Sequence, residues 1–401
     1  MVADVAHSRA PAPRTPHTPH RLRIAIAHDW LCGYRGGEGV LDRLIQVAQH
    51  DHELAGLYVM FDDGRPLRPA IDAAPKTVSK VGRWPGASTT RLRQYLMPFY
   101  AKAVRDLSRS LEADHRRRPI DLLITSSSAA VKNMRTPLGV PHLCYCHSPA
   151  RYVWAQAKEY RRDLSLRSLG LRFSTKSYQR WDRVGSSPDY ITRLIANSSY
   201  TADQITRCYE RSARVLHPPV RTDFYTPALE RVGQSRADYW LYVGALEPYK
   251  RADLAVHAAN KLNQELVVIG KGTESRALRR IAGPKVRFLG YVSDEELREH
   301  YRRARLLVFP QVEDFGIVAV EAQACGLPVV ARRAGGSLDS IQDGITGALF
   351  HEPTMEALIA AAIRCPRRCD SACRVNAERF SEEVFDSAIL REIDELCGAA
   401  R

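Results

Sequence analysis

Short apolar runs of strand length, spaced by stretches long enough for a helix, recur along this chain, stop at a proline-marked break, and then begin again. The first series falls at residues 21–27, 53–60, 121–124, 141–146 and 194–197, and the second at 239–243, 265–269, 286–288, 305–309, 328–331 and 348–350. Runs that are apolar almost throughout are the pattern of strands covered on both faces, and their alternation with helical sequence implies parallel sheets with crossover helices. The break is His217-Pro218-Pro219-Val220, followed by a polar stretch to Ala237. The restart therefore predicts two doubly wound α/β domains, residues 21–218 and 237–376, joined by a linker over 219–236. Residues 377–401 read as a C-terminal helix packing back on the first domain, with Ser381 at its start and Glu382 and Glu383 in its first turn. Residues 1–20, rich in Pro, His and Ala without periodicity, read as a disordered tail. Two such sheets bring the C-terminal ends of their strands to a shared cleft, and ligands of this architecture bind there.

With 401 residues, 45% of them hydrophobic and 26% charged, the chain has apolar material for two cores and needs no covalent staples. Its nine cysteines are odd in number and scattered, and no apolar run approaches the ~18 residues of a membrane span. The expectation is a reducing, cytoplasmic protein, peripheral on the inner face of the cell membrane if it meets a membrane at all. The formal net charge of +14 favours anionic partners, among them nucleotides, phospholipid surfaces, phosphorylated acceptors and nucleic acid, without choosing among them. Nucleic acid is not the expected partner.

The most informative stretch is Phe309-Pro310-Gln311-Val312-Glu313-Asp314-Phe315-Gly316-Ile317-Val318-Ala319-Val320-Glu321. A buried strand ends at Phe309, a short acidic loop follows, and a helix starts near Gly316. The free N–H groups and positive dipole end of such a helix suit a diphosphate. Glu321 stands where an apolar residue is expected; on residue type alone it is equally a ligand-binding carboxylate or one reaching solvent at the domain edge.

Two glutamates seven residues apart are weak evidence by themselves. Their setting, Phe-Pro-x-x-Glu-Asp-Phe-Gly-x-x-x-x-Glu-Ala-x-Ala-x-Gly-x-Pro-Val-Val, resembles the signature of the retaining glycosyltransferases of family 4, and most closely their bacterial mannosyltransferase-like, group 1 members. The resemblance runs over residues 22–393. It includes His28-Asp29-Trp30, Arg35-Gly36-Gly37-Glu38, Cys146-His147-Ser148-Pro149 with Arg151, Ile195-Ala196-Asn197-Ser198, Pro248-Tyr249-Lys250-Arg251 and Ala334-Gly335-Gly336. It implies a GT-B fold, two Rossmann-like domains facing a central cleft, with the acceptor on the side of the first and the nucleotide sugar on the second. It also implies a nucleotide-diphosphate sugar donor, GDP-mannose first, with neither metal nor cofactor. Breaking the donor's glycosidic bond leaves negative charge on the diphosphate, which calls for fixed positive groups.

By the resemblance, Lys250 is that cation and the amides of Gly36 and Gly37 cap the phosphates from the opposite domain. Glu313 binds hydroxyls of the donor sugar, Glu321 those of the ribose, and Asp314, Phe315, Gly316 and Ile317 line the donor. His147, which follows a strand and precedes Ser148-Pro149, acts at the reacting sugar, so His147 and Glu313 are the catalytic candidates. Retention then proceeds on one face of the sugar, the leaving phosphate helping to deprotonate the acceptor, since no carboxylate nucleophile of the glycosidase kind is evident. The family often carries an Arg where this chain has Ala245, which leaves Arg251 as the candidate second cation. The acceptor expected is a lipid-linked or polysaccharide chain in cell-surface glycan synthesis. Alternatives are a UDP-sugar enzyme of the same fold and an inactive scaffold binding anionic membrane or nucleic acid.

Basic residues concentrate over 151–183, interleaved with Leu164, Leu166, Tyr178 and Trp181, and read as a contact for membrane or lipid diphosphate. Cys365, Cys369 and Cys373, spaced by four, are expected to share a helix face without binding metal.

Overall fold

A computed structural model describes residues 21–33, 36–89, 93, 95–151, 153–154, 166–228 and 236–398. The segment read as a disordered tail, residues 1–20, lies outside the described residues, as do 229–235 of the linker and most of 152–165 in the basic region.

Among the described residues the first sheet has seven parallel strands. They are β1 (Arg23–Leu31), β2 (Glu53–Asp62), β3 (Lys76–Val78), β4 (Leu122–Ser127), β5 (His142–Cys146), β6 (Arg193–Ala196) and β7 (Arg214–Val215), in the order β3-β2-β1-β4-β5-β6-β7. Its crossovers include α1 (Gly36–His50), α2 (Tyr100–Arg117), α3 (Leu166–Gly185) and α4 (Ser199–Tyr209). The second sheet comprises β8 (Tyr239–Val243), β9 (Glu265–Ile269), β10 (Val286–Gly290), β11 (Leu306–Phe309), β12 (Val329–Arg332) and β13 (Gly347–Phe350), in the order β10-β9-β8-β11-β12-β13. Around it lie α5 (Ala252–Leu262), α6 (Asp294–Arg303), α7 (Ile317–Ala324), α8 (Met355–Arg364) and α9 (Asp370–Glu378), before the terminal α10 (Glu382–Gly398).

Successive side chains of β1 leave on opposite faces of the sheet. Ile24 and Ile26 join Val40, Leu41 and Leu44 of α1 on one face, while Ala25 and Ala27 meet Tyr100, Val104 and Leu107 of α2 on the other. The first of these cores is completed by α10, whose Phe385, Ile389 and Ile393 are buried against it. Ion pairs fix the same helix at its rim: Arg43 Nε donates to Asp386 at 2.7 Å, and Arg214 reaches Glu392 at 2.9 Å and Glu395 at 2.6 Å. The chain's last helix is thereby built into its first domain.

Local chemistry sets several boundaries. Ser198 caps α4 by accepting a hydrogen bond from the Thr201 amide at 3.0 Å, and Ser293 caps α6 through the Glu296 amide at 3.2 Å. Three sequence expectations need correction. First, β1 does not stop at residue 27 but runs on through His28, Asp29 and Trp30; the polar residues there are paired, as described below. Second, the sequence after the first strand reads as a glycine-bearing loop from Gly33 to Gly39 with a helix starting near Glu38, whereas α1 already begins at Gly36. Third, Cys365, Cys369 and Cys373 do not share one helix: α8 ends at Arg364, just before Pro366, and Cys369 precedes the first residue of α9, because proline cannot continue a helix. The two edge strands β3 and β7 span three and two residues and have no periodicity to betray them.

In each sheet the strand order reverses at one point, between β1 and β4 in the first and between β8 and β11 in the second. Open α/β sheets bind ligands at such switch points, beyond the carboxyl ends of the strands. Here those ends are His28 to Leu31, Ser126 to Ser128, Val243–Gly244 and Phe309 to Gln311.

Candidate active site

All four of those strand ends open into one cavity of about 540 Å³ between the domains. The first domain contributes His28, Trp30, Gly36, Gly37, His147 and Arg151; the second contributes Gly244, Lys250, Gln311, Glu313 and the turn into α7 from Asp314 to Val318.

Asp29 explains why a carboxylate can sit in a buried strand. It accepts hydrogen bonds from the amides of Ser128 (2.7 Å), Ala129 (2.9 Å), Ala130 (2.8 Å) and Val131 (2.8 Å), and from the Ser127 hydroxyl (3.1 Å). It thereby holds the loop after β4 in place under the cleft, and a fully buried charge is tolerable only with such partners. Below it, Lys132 and Asp182 form a fully buried ion pair at 2.6 Å, with the Trp154 indole (2.9 Å) and the Tyr209 hydroxyl (2.8 Å) also donating to Asp182. These bonds tie the β4 loop to α3 and α4.

His147 leaves the end of β5 and its Nε2 lies 2.8 Å from Ser126 Oγ, which in turn lies 3.1 Å from His28 Nδ1. The serine between two rings fixes the orientation of the imidazole that faces the cavity. Burial, with smaller contributions from His28 and Arg151, holds the His147 pKa down to about 3, so the ring is neutral at physiological pH. Gly37, at the start of α1, lies over this ring: a Cβ there would stand 3.7 Å from His147 Nε2. A Cβ on Gly36 would stand 3.0 Å from the Ile317 side chain of the opposite domain. The N-terminus of α1 and the start of α7 thus confront each other across the cavity.

In the second domain, Lys250 and Glu313 are joined in an ion pair, both largely buried. The loop carrying Glu313 is shaped by glycines. Gly316 has φ +89°, and a Cβ there would meet Phe309 at 2.9 Å; at Gly336 a Cβ would lie 2.2 Å from Phe315 Cα, where its amide donates to Glu313 O at 2.9 Å. Only glycine permits that approach. Phe315 itself is buried between the rings of His217 and Phe380, at 5.4 Å from each centroid.

The domains are tied at this same loop. Arg151 Nε donates to Asp314 Oδ2 at 3.0 Å, and the Ser198 hydroxyl donates to the Asp314 carbonyl. Nearby, the Ser199 amide donates to Asp339 at 2.6 Å and His217 Nε2 lies 3.2 Å from the same oxygen.

Of the residues singled out from sequence, His147, Gly36, Gly37, Lys250, Glu313, Asp314, Phe315, Gly316 and Ile317 all line the one cavity. Glu321 does not; it lies one turn along α7, where the Tyr301 hydroxyl donates to it at 3.2 Å. Burial raises its pKa to about 7 against the opposing pull of Arg221. Arg251 also stands apart, in the left-handed conformation at φ +52°, its guanidinium held by Asp253 at 3.0 Å. It lines an adjoining cavity. Sequence reasoning did not single out Ser126, Gln311 or the cleft position of Arg151. The arginine stood in a quoted motif but was counted with the basic surface of 151–183. Among the described residues no group of His, Cys, Asp and Glu is arranged to hold a metal ion, and no helix is long and apolar enough to cross a membrane.

Comparison with known proteins bears on this site. Residues 232–366 match the model of the family described as glycosyl transferases group 1. Among curated proteins, the chain is 36% identical over 230 residues to a D-inositol 3-phosphate glycosyltransferase of Geodermatophilus obscurus, covering 49% of this chain and 51% of the relative. It is also 36% identical over 184 residues to one of Mycolicibacterium smegmatis, covering 40% and 42%. The chain thus spans about half the length of the curated relatives it matches. Among solved structures, sucrose-phosphate synthase of Thermosynechococcus elongatus superposes with a TM-score of 0.70 at 19% identity, over 94% of this chain and 100% of that one. HepE of Anabaena in complex with UDP gives 0.66 at 17% identity, over 93% and 100%. The fold is GT-B.

Proposed function

We propose that this chain is a retaining glycosyltransferase that moves a hexose from a nucleotide-diphosphate sugar onto an acceptor held against the first domain. The observation that carries this reading is the pairing of Lys250 with Glu313 in a cavity whose opposite wall is the N-terminus of α1 and the neutral ring of His147. An empty donor site keeps its cation and its sugar-binding carboxylate satisfied by one another. When the donor enters, its diphosphate takes Lys250 and the amides at Gly36 and Gly37, and hydroxyls of its sugar take Glu313. As the glycosidic bond breaks, charge develops on the leaving phosphate, where an ammonium and a helix dipole are already fixed. The neutral His147, oriented by Ser126, offers a hydrogen bond to a hydroxyl of the reacting ring. Glu321 binds the ribose hydroxyls, and acceptor deprotonation falls to the leaving phosphate, with no metal taking part.

The match of the second domain to group 1 glycosyl transferases and the curated relatives named as glycosyltransferases support the reaction class. For the donor we favour GDP-mannose, with a UDP-sugar as the competing choice, since HepE of Anabaena was solved with UDP. For the acceptor we favour a lipid-linked or polysaccharide chain met at the inner face of the membrane. Trp84, Tyr95 and Phe99 are exposed large rings, Lys102 stands over the ring of Trp84, and Lys176, Arg180 and Arg183 are exposed on α3, a combination suited to an anionic interface.

Thermal unfolding with a panel of GDP- and UDP-sugars tests the reading. A ligand at 100 times its Kd adds about 2.7 kcal/mol to the folded state. One donor is expected to raise the midpoint, with the response lost in Lys250→Ala and unaffected by EDTA. A well-folded protein indifferent to every nucleotide sugar overturns the proposal.

A further inference from the structure

Cys369 and Cys373 have no part in the cleft, yet they are in direct contact: the Cys373 thiol donates to Cys369 Sγ at 3.6 Å. Cys369 stands immediately before α9, at the end where a helix leaves its amides free, and Cys373 lies one turn inside it. The fold treats the two sulfurs differently. Cys373 is fully buried, whereas Cys369 keeps 7% of its surface in solvent. Burial raises the thiol pKa of Cys32, Cys144, Cys146, Cys208, Cys325 and Cys365. That of Cys369 is lowered instead, because the hydrogen bond from Cys373, helped by Arg236, outweighs burial and Asp370; the same bond raises Cys373. A sulfur inclined to ionise at the surface, backed by a thiol that solvent does not reach, has the makings of an attacking and a resolving cysteine.

The position matters to the cleft because α9 is a brace. Asn376 Nδ2 donates to Gln323 Oε1 of α7 and to the Ser340 carbonyl, each at 2.8 Å. Arg374 Nη1 donates to the carbonyls of Thr222 at 2.7 Å and Tyr225 at 2.9 Å in the linker. One helix thereby holds both the element that carries Glu321 and the segment that joins the domains.

We propose that Cys369 and Cys373 form a reversible redox site, closed to a disulfide by hydrogen peroxide, and that closure loosens the hold of α9 on α7 and the linker. The Cys369 thiolate attacks one peroxide oxygen, an S–O bond forms, the O–O bond breaks and hydroxide leaves with the proton that Cys369 gave up, as water. The Cys373 sulfur then attacks the sulfenic sulfur; an S–S bond forms as the S–O bond breaks, and the departing hydroxide takes the Cys373 proton. Two thiols and one peroxide thus give one disulfide and two waters, and a dithiol returns both electrons and both protons. A disulfide holds its sulfurs at about 2.05 Å, so closure from 3.6 Å shifts the first turn of α9, beside Arg374. The site itself stands apart from the glycosyltransferase reading; its effect on donor binding rests on that reading.

Trypsin tests the site directly, because cleavage after Arg368 and Arg374 releases residues 369–374 as one peptide with both cysteines. The full chain is treated with hydrogen peroxide, unfolded, alkylated with iodoacetamide and digested. The peptide is expected to escape alkylation and to lose two hydrogens in mass, faster in the folded chain than in one oxidised in urea, and to be alkylated again after dithiothreitol. In Cys369→Ser, which places a favoured residue before the helix, Cys373 should stay open to alkylation. Full alkylation of residues 369–374 in the treated parent, closure no faster than in urea, or a bridge to the separate peptide carrying Cys365 would overturn the proposal. The melting midpoint should fall on oxidation, return with dithiothreitol and not move in treated Cys369→Ser; an unchanged midpoint in the bridged parent would overturn the loosening. Affinity for GDP or UDP should fall about fivefold or more in the bridged parent, and equal affinity would cut the link to the cleft. If neither nucleotide binds the reduced parent while the bridge forms and the midpoint falls, the glycosyltransferase reading falls and the redox site stands.

Discussion

Arg151 of the first domain and Asp314 of the second meet across the cleft in an ion pair, Nε to Oδ2 at 3.0 Å, at the wall common to both interdomain cavities. The arginine follows His147 by four residues and the aspartate follows Glu313 by one, so the pair couples the two proposed catalytic positions through the backbone. Replacing Arg151 by Ala leaves a buried carboxylate without its donor, which costs on the order of 1–3 kcal/mol. The expected result is a lower urea midpoint together with a larger radius of gyration in solution scattering, since the domains lose a tie as well as a contact. A variant as compact and as stable as the parent would show that the pair does not hold the cleft closed.

Lys132→Ala tests the support beneath the site. Lys132 and Asp182 are both fully buried, and removing one partner of such a pair costs about 3–5 kcal/mol. Chemical denaturation should show that loss, whereas exposed pairs such as Arg116 with Glu112 should give less than about 1 kcal/mol when broken.

Glu321 gives a pH test of donor binding. Its pKa is raised to about 7, and only the ionised carboxylate accepts hydrogen bonds from two ribose hydroxyls. Donor affinity in the parent should therefore fall as pH drops through about 7, while in Glu321→Gln it should be weaker and independent of pH over that range. A parent profile as flat as the variant's would remove Glu321 from the donor site.

Stability against pH separates the buried histidines from Glu321 by sign. Burial holds His142 down to about 4 and His147 down to about 3. The unfolded chain therefore binds protons that the folded one refuses, and stability is lost as pH falls below about 6.5. Glu321 acts oppositely, because its folded form takes up a proton more readily and its contribution is lost as pH rises through about 7. Between pH 7 and pH 5, His142→Gln should lose less stability than the parent and Glu321→Gln should lose more, both read from denaturation midpoints.

Much of this architecture was legible in the amino-acid sequence because the central strands are buried on both faces and so are apolar nearly throughout. β8, with Tyr239 to Val243 fully buried, is found by inspection, and the restart after Pro218-Pro219 separates the domains. What was hidden has physical causes. Asp29 disguised the end of β1, since a carboxylate satisfied by four backbone amides looks, in sequence, like a loop residue. Arg151 was hidden by distance along the chain: 163 residues separate it from Asp314, and beside so many other basic residues it read as surface. Arg251 has the composition of a phosphate ligand, but its backbone is left-handed, Asp253 holds its guanidinium, and it lines the adjoining cavity. Backbone conformation of that kind leaves no mark in composition or spacing.

The central claim is that Lys250 and the N-terminus of α1 hold the donor's diphosphate between the two domains. A crystal structure of the chain with a bound nucleoside diphosphate, GDP or UDP, tests it most directly. The account predicts phosphate oxygens within hydrogen-bonding distance of Lys250 Nζ and the amides of Gly36 and Gly37, with Glu313 released toward the position of the sugar. A nucleotide bound elsewhere, with Lys250 still paired to Glu313, would contradict it.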